Sequence, residues 1–263
     1  MQALPNLSEE ALARCIRQLR QPKFEPALWD LFRAAVAPDN LIILAYRDVG
    51  APQVFYSRTD DPTVFAELES TYLPGAYRLD PYFGLHLDRV RAGAYRLTDI
   101  APDAFQRSRY FLEYYAQTTL VDEITFIAYP APGVSLNLCL GRDASSGAEF
   151  SGADLATCQR LSPIVAALAE VHWSTLASAA GAADDSAALL ARAAKARLGI
   201  ALSPRQAEVA LLILRGHSSL SIGARLEVSA QTVKVFRKQL YARCAISSQA
   251  ELFALMLPLL TEG

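Results

Sequence analysis

The sequence predicts an α+β domain, an antiparallel sheet with flanking helices, followed by a small all-α domain. Three observations predict it. Strand-like runs within about the first 175 residues are separated by short turns, which is a hairpin pattern. Apolar residues recur at helical spacing at both ends of that region. Beyond residue 199, helical spacing is the only periodicity in the sequence. Hairpins with helices at both ends are typical of an antiparallel sheet covered by helices.

Apolar spacing and turn residues define the N-terminal elements. Pro62 suits the first turn of one helix, Pro130 and Pro132 predict a hairpin turn, and Pro163 is expected to kink the last helix. The predicted helices cover 8–20, about 29–36, 62–72, 81–91 (helix or loop), 103–117 and 153–176, and the predicted strands cover 41–46, 53–57, 93–98, 122–129 and 133–141.

Composition marks a seam near residues 174–188, where small and polar side chains dominate. Such a segment buries little apolar surface, so we expect a linker. The predicted domains are an α+β regulatory domain over 1–175, a linker and connecting helix over 176–198, and an all-α domain over 199–263. The net charge of −2 hides a contrast, because the last domain carries seven Lys and Arg against four Glu.

Several classes of protein are disfavoured. The chain has no apolar run of the roughly 18–20 residues that a membrane span needs, and its N-terminus lacks a secretory signal pattern. The four cysteines stand apart, as expected for reduced thiols in a cytoplasm. The sequence has no nucleophile elbow, phosphate loop or metalloprotease motif, and its three histidines show no metal-ligand spacing. We therefore expect a cytoplasmic protein that is not an enzyme and holds no metal or cofactor.

Capping signals divide the C-terminal domain into four helices. A serine followed by proline opens the first helix, and an Arg-Gly pair ends it. A short helix over about 220–226 comes next, a serine caps the third helix, and a capping box opens the fourth. These signals are, in chain order, Ser203-Pro204-Arg205-Gln206, Arg215-Gly216, Ser229 and Ser248-Gln249-Ala250-Glu251.

The third helix carries the functional signal. Its predicted buried face holds Val233, Phe236, Leu240 and Cys244, and its opposite face holds Gln231, Lys234, Val235, Lys238 and Ala242. Residues 229–243 contain four basic side chains and no acidic one. A short helix, a tight turn and a basic helix make a helix-turn-helix, whose second helix enters the DNA major groove. The solvated face of an ordinary helical bundle is the alternative.

Residues 202–253 closely resemble the DNA-binding domain of LuxR-type transcription regulators. The shared landmarks are Leu202-Ser203-Pro204-Arg205, Glu208-Val209, Arg215-Gly216, Ile222, Arg225-Leu226, Val228-Ser229, Thr232-Val233-Lys234-Val235 and Ala250-Glu251-Leu252. The resemblance implies a double-stranded DNA partner at a promoter. It implies phosphate contacts by Thr232 and Arg237, and base-edge contacts by Lys234, Val235 and Lys238.

The same resemblance implies a homodimer, for which the last helix offers an apolar face. That face consists of Leu252, Phe253, Leu255 and Met256. The chain also departs from the family pattern, at scaffold positions rather than at the implied DNA contacts. These departures are Ser219, Ser221, Gly223, Phe236 and Cys244. Gly223 is expected to cost up to about 1 kcal/mol of helix propensity.

Residues 72–99 more weakly resemble the acyl-homoserine-lactone-binding domain of quorum-sensing LuxR-type regulators. The resemblance rests on Asp80-Pro81, preceded by Tyr72 and Tyr77, with Tyr95 fifteen residues after the Asp. It implies that Asp80 accepts a hydrogen bond from a ligand amide and that Tyr95 covers the lactone. The family's Tyr and Trp positions fall on Thr71 and Glu67 here, so the ligand itself stays open.

The segment 103–117 carries aromatic side chains on more than one face. Aromatic rings with hydroxyl groups commonly line small-molecule sites, and filling a small core is the alternative. Asp80 is either a ligand acceptor or a turn residue before Pro81, and Asp122-Glu123 either binds a cationic ligand or is a solvated strand end. The candidate effector-binding residues are Tyr72, Tyr77, Asp80, Tyr95, Phe111 and Tyr115.

Two functional hypotheses follow from these patterns. The first is a transcription regulator controlled by a small-molecule effector bound in the N-terminal domain. The second is a DNA-binding regulator whose N-terminal domain serves dimerisation or a protein partner without a small ligand. A phosphorylation receiver is not expected, because hairpins replace the alternating strands and helices of that fold.

Overall fold

The computed structural model describes residues 9–177 and 185–261. Its helices are α1 (Glu9–Arg17), α2 (Phe24–Val36), α3 (Pro81–Leu87), α4 (Leu97–Ile100), α5 (Arg109–Glu113), α6 (Gly152–His172), α7 (Ser186–Leu198), α8 (Pro204–Leu214), α9 (Ser219–Leu226), α10 (Ala230–Cys244) and α11 (Gln249–Thr261). Its strands are β1 (Asn40–Arg47), β2 (Gln53–Arg58), β3 (Gly93–Arg96), β4 (Leu120–Ala131) and β5 (Val134–Asp143). The predicted α+β class, with a helical C-terminal region, is confirmed.

The chain forms two compact units. The first comprises, among the described residues, 9–64, 85–100 and 119–177, and we call it the sheet unit. The second comprises, among the described residues, 65–84, 101–118 and 185–261, and we call it the helical unit. Part of the predicted linker, residues 178–184, lies outside the described residues.

The sheet unit is built on five antiparallel strands in the order β2-β1-β5-β4-β3. Strands β4 and β5 form the predicted hairpin, but its turn is displaced. Pro130 and Ala131 continue β4, and Ala131 pairs with Val134. The turn therefore lies at Pro132-Gly133, where Gly133 adopts a φ of +72°. Glycine takes this left-handed conformation without a steric penalty, which explains why the turn forms there.

The core of the sheet unit lies on one face of the sheet. Leu136, Leu138 and Leu140 alternate along β5 and are fully buried in this core. Helices α2 and α6 contribute the opposing side chains, and the ring of Phe32 lies 5.2 Å from that of Phe126. Helix α6 ends at His172, four residues before the predicted end at 176, and contains Pro163.

The opposite face of the sheet carries fully buried polar side chains, including Ser135 and Asn137. His86 is fully buried as well, and its Nδ1 lies 2.8 Å from Ser135 Oγ. Its Nε2 lies 3.4 Å from Asp48, which also pairs with Arg89. Burial lowers the pKa of His86 to about 4, and the charge of Arg89 adds to this effect. His86 is therefore a neutral packing residue.

Asp122 is buried at the start of β4. Its carboxylate pairs with Arg96 of β3 at 2.7 Å and accepts a hydrogen bond from Phe150 N at 2.9 Å. Arg96 also reaches Glu149, at 3.0 Å. A buried carboxylate needs such partners to offset its lost hydration. Asp122 is thus a structural ion-pair residue, which corrects both sequence-based interpretations of it.

Two predicted helices are interrupted. Residues 62–72 form a 3₁₀ turn and a π turn, and residues 103–117 form 3₁₀ turns on either side of α5. Ser108 breaks the second helix, because it is extended and its Oγ accepts a hydrogen bond from Phe111 N at 3.1 Å. A serine that caps a new helix competes with continuation of the previous one. The predicted strand 93–98 also ends early, at Arg96, because α4 begins at Leu97.

The helical unit joins α7–α11 to two segments of the predicted 1–175 domain, 65–84 and 101–118. Helix α11 packs against α7 and α8, and also against α5 and the 3₁₀ turn Ala76–Leu79. Leu252, Phe253 and Met256 are consequently buried within a single chain. This burial corrects the expectation that they form a dimerisation face.

The turn after α8 lies against the 101–118 segment. Gly216 has a φ of +91°, and a Cβ added there would stand 2.7 Å from the Cα of Phe105. The amide of Ala104 donates to the Gly216 carbonyl at 3.0 Å, and Arg215 Nε donates to the Arg78 carbonyl at 2.9 Å. Glycine is therefore required at 216 both for its conformation and for this close approach.

Candidate nucleic-acid interface and effector site

Helix α10 is fixed by a cap at its start and by a buried stripe. Ser229 Oγ accepts a hydrogen bond from Thr232 N at 3.0 Å and lies 2.8 Å from Thr232 Oγ1. Val233, Leu240 and Cys244 are buried, as predicted. The fourth residue of that stripe, Phe236, is half-buried. The inward face therefore determines which side chains of α10 point outward.

The outward face of α10 is exposed to solvent. Its predicted members Gln231, Lys234, Val235, Lys238 and Ala242 are all exposed, and Val235 keeps 47% of its surface accessible. Within the described chain, Lys234 and Lys238 make no hydrogen bond or ion pair. Two free ammonium groups beside an exposed valine can meet guanine edges or phosphates and a thymine methyl group.

Arg237 lies on the flank of α10 and links it to α9. Its Nη1 donates to Ser219 Oγ at 3.4 Å, and its Nη2 donates to Tyr241 Oη at 3.4 Å. These bonds orient the guanidinium at the start of α9. Sequence reasoning treated Ser219 only as a departure from the family pattern and missed this contact. The available signal was the four-residue spacing of Arg237 and Tyr241.

The preceding helices hold α10 in place. Ser203 and Gln206 form the predicted capping box of α8, with bonds of 3.2 Å and 3.1 Å. Ser218 caps α9 by accepting a hydrogen bond from Ser221 N at 3.2 Å. A Cβ added at Gly223 would stand 2.7 Å from the Val228 carbonyl oxygen. The glycine therefore lets the α9–α10 turn approach α9 closely, which offsets its low helix propensity.

Asp80 is bonded within the helical unit on both carboxylate oxygens. Its Oδ2 accepts a hydrogen bond from Tyr72 Oη at 2.7 Å, and its Oδ1 accepts one from Tyr82 N at 2.7 Å. Asp80 therefore caps the start of α3, as its position before Pro81 suggests. Burial raises the pKa of Asp80 to about 6, although both hydrogen bonds act in the opposite direction.

Aromatic rings of the helical unit form two stacked groups. Tyr114 stacks on Tyr72 at 5.9 Å and on Tyr110 at 5.3 Å between ring centroids. Phe111 stacks on Tyr115 at 5.4 Å. Tyr72 and Tyr110 are buried, whereas Phe111, Tyr114 and Tyr115 are half-buried. The three half-buried rings therefore keep part of their aromatic surface accessible.

The remaining two candidate effector residues have different surroundings. Tyr77 is buried in the helical unit, and its ring meets that of Phe83 edge-on at 5.0 Å. Tyr95 belongs to the sheet unit, where its hydroxyl donates to the Arg91 carbonyl at 2.7 Å. Within the helical unit the structure thus brings Tyr72 directly to Asp80 and Phe111 to Tyr115, and the Tyr77 ring lies 6.5 Å from that of Tyr72.

The helix-turn-helix geometry agrees with a comparison to known families. Residues 201–256 match the family model of the bacterial regulatory proteins of the luxR family. The chain therefore carries a LuxR-type DNA-binding domain at its C-terminal end. A curated relative, an HTH-type transcriptional regulator of the exeN 3′ region of Aeromonas salmonicida, is 29% identical to it over 184 residues. The match covers 68% of this LuxR-type chain and 93% of the relative.

Solved structures resemble the LuxR-type chain at low sequence identity. The VqsR LBD domain from Pseudomonas aeruginosa has a TM-score of 0.54 and 24% identity, over 64% of this chain and 98% of that domain. Escherichia coli SdiA has a TM-score of 0.40 and 13% identity, over 96% and 97% of the two chains. SdiA in complex with octanoyl-rac-glycerol has a TM-score of 0.41 and 14% identity, over 94% of each chain. The VqsR likeness shows a shared fold.

Other features of the LuxR-type regulator lie away from these sites. In the sheet unit, a groove of about 600 Å³ is lined in part by Arg20, Glu25, His172 and Trp173, and none of the candidate effector residues lines it. Over residues 9–177 and 185–261, no group of three or more His, Cys, Asp and Glu side chains could hold a metal ion. Over the same residues, no single helix combines the length and apolar composition needed to cross a membrane; only α10 and α11 taken together, bent by 67°, meet those criteria.

Proposed function

We propose that this LuxR-type regulator binds promoter DNA by placing α10 in the major groove. Thr232 and Arg237 contact phosphates in this proposal, and Lys234, Val235 and Lys238 face base edges. The observation that carries it is the outward face of α10, where both lysines are free of partners in the described chain. A helix-turn-helix presents its second helix to the groove in this way.

We also propose that the regulator acts as a homodimer. The exposed stripe of one α10 spans only a few base pairs, which is too little sequence to specify one site among many in a genome. Two half-sites read by two copies double that information, and helix-turn-helix proteins commonly bind in this way. We propose as separate points that the regulatory domain spans 1–175 and the DNA-binding domain 199–263, and that the protein is cytoplasmic.

The DNA assignment is tested by replacing each lysine. Lys234→Ala and Lys238→Ala in the full chain are expected to weaken binding to the protein's own promoter region by about 1–3 kcal/mol each in a gel-retardation assay. Lys195→Ala is the matched control, because Lys195 is an exposed lysine on α7 and its loss changes the net charge equally. Unchanged affinity in both α10 variants would exclude the assignment.

We propose further that a small-molecule effector binds at the cluster that contains Tyr72, Asp80, Phe111 and Tyr115, with Tyr77 and Tyr95 as further candidates. Asp80 supports this, since a half-buried carboxylate beside a tyrosine hydroxyl can accept a hydrogen bond from a ligand amide. The half-buried rings supply apolar surface for an acyl or aromatic group.

Thermal unfolding with a panel of N-acyl-homoserine lactones and simpler acyl amides tests the effector site. A bound effector raises the midpoint of unfolding, because it binds the folded state alone. Asp80→Asn is expected to reduce that increase, because an amide oxygen is a weaker acceptor than a carboxylate, whereas Lys195→Ala keeps it. An absence of any increase, together with a protein that copurifies with the chain, would instead favour the partner-binding function.

A further inference from the structure

We propose that Gln231 is a specificity-determining residue that selects an adenine in the operator. This inference rests on the proposed function, because it requires α10 to lie in the major groove. Gln231 is the second residue of α10, it is exposed, and its amide makes no hydrogen bond within the described chain. Residues near the N-terminus of a recognition helix are those that contact base edges.

The amide of Gln231 is not needed to build the helix. Ser229 already caps α10 through its bond to Thr232 N, and the Thr232 hydroxyl lies against the same serine. Side chains near a helix start often serve as caps, but here that role is filled by other residues. The free amide therefore has both its donor and its acceptor available for a partner outside the chain.

Gln231 also lies on the stripe of α10 that faces outward. At 3.6 residues per turn, Val235 and Lys238 fall within roughly 40° of Gln231 around the helix, and Lys234 falls within roughly 60°. The stripe from Gln231 to Lys238 is about 10.5 Å long, which is about three base-pair steps of 3.4 Å. Gln231 therefore meets a base pair at one end of the contacted sequence, and Lys238 meets one at the other end.

The chemistry of the side chain indicates the base. A glutamine amide pairs with adenine through two hydrogen bonds, donating to N7 and accepting from the N6 amino group. A neutral amide adds little to the attraction of phosphates, which the neighbouring cations already provide. One amide among three other outward side chains, two of them cationic, is thus better suited to reading a base than to holding the backbone.

Selection of duplexes from a random pool tests this assignment with the full chain. The wild-type chain is expected to enrich an adenine at one position, and Gln231→Ala is expected to lose that preference by roughly five-fold to more than 100-fold. Gln231→Glu should move the preference toward cytosine, since a carboxylate accepts from the cytosine amino group. Gln239→Ala is the matched control, because Gln239 is exposed on the same helix but lies roughly 80° around it from Gln231.

A chemically altered base locates the contact. Replacing the selected adenine by 7-deazaadenine removes the N7 acceptor, so it should weaken binding of the wild-type chain but not of Gln231→Ala. A uniform loss of affinity in Gln231→Ala, with every base preference kept, would assign Gln231 to the phosphates and overturn the proposal. Unaltered preferences at unaltered affinity would overturn it too. If Lys234→Ala and Lys238→Ala bind as the wild type does, the proposed function itself fails, which is a separate result.

Discussion

The carboxylate of Asp103 accepts a hydrogen bond from the backbone N–H of Ser218 at 3.0 Å. Ser218 caps α9, so an acidic side chain of the 101–118 segment stands at the start of the first helix of the helix-turn-helix. Burial acts to raise the pKa of Asp103, but the hydrogen bonds from Ser218 and the charge of His217 bring it below its ordinary value. The 101–118 segment, which carries the stacked aromatic rings, is thus joined to the DNA-binding helices through a charged contact.

Asp103→Ala is expected to lower the free energy of unfolding of the full chain by about 0.5–1.5 kcal/mol, because the Ser218 amide loses its acceptor. Asp103→Asn keeps an oxygen acceptor at the same place and should lose less. Urea unfolding followed by circular dichroism measures both. Equal midpoints for the wild type and Asp103→Ala would show that the bond contributes nothing to stability.

Gly216→Ala is expected to destabilise the chain more than Gly199→Ala. Both glycines have positive φ, so each alanine costs about 1–2 kcal/mol of backbone strain. A Cβ at 199 meets nothing within 4 Å, whereas one at 216 meets the backbone of Phe105 at 2.7 Å. The difference between the two midpoints of thermal unfolding measures the cost of the close contact between the added Cβ at 216 and the Phe105 backbone. Equal midpoints would mean that Phe105 gives way freely.

Asp80→Asn is expected to change how stability depends on pH. The pKa of Asp80 is about 6 in the folded chain, above the ordinary 3.8, so the folded state holds this proton more tightly. Its contribution to stability therefore falls as pH rises from about 4 to about 6. As the pH rises between those limits, the free energy of unfolding of Asp80→Asn should increase by about 1–3 kcal/mol relative to that of the wild type, as measured by urea titrations. A constant difference across this range would contradict the assignment.

His86→Gln is expected to remove a pH dependence of the opposite sign. The pKa of His86 is lowered to about 4, so the unfolded chain takes up this proton first and stability falls as pH drops from about 6.5 to about 4. In the wild type this loss reaches up to about 3 kcal/mol and opposes the effect of Asp80. In His86→Gln the pH dependence due to Asp80 should therefore no longer be opposed. Parallel curves of unfolding free energy against pH for the wild type and the variant would show that His86 is not responsible.

Arg237→Ala is expected to weaken binding to all DNA sequences alike. A lost phosphate contact lowers the slope of log affinity against log salt by about 0.9, without changing base preference. Arg237→Lys keeps the charge and should keep most of the slope, even though it loses the bonds to Ser219 and Tyr241. Titrations at several salt concentrations measure the slope. A change in base preference would place Arg237 among the base-reading residues.

Local signals in the sequence predicted several features that are decided by neighbours along the chain. The capping box of Ser203 and Gln206, the cap at Ser229 and the outward face of α10 all depend on residues within one or two helical turns. The hairpin of β4 and β5 was predicted for the same reason, apart from the position of its turn.

Contacts between distant residues were not predictable in this way. The partner of Asp122 is Arg96, 26 residues earlier, and no local pattern announces that pairing. The apolar face of α11 gave no sign that residues 76–79 and α5 would cover it. In the effector cluster, the bond from Tyr72 to Asp80 depends on the interrupted helix between residues 62 and 72, which periodicity read as continuous.

The packing of α11 has a practical consequence for dissecting the protein. A fragment that starts at residue 199 keeps the DNA-binding helices but loses α7, α5 and the turn at 76–79, which all cover α11. Large apolar side chains such as Phe253 and Leu260 would then face water, and exposed patches of this kind drive self-association. Such a fragment is a poor substitute for the whole chain, because any dimer it formed could arise from the cut itself.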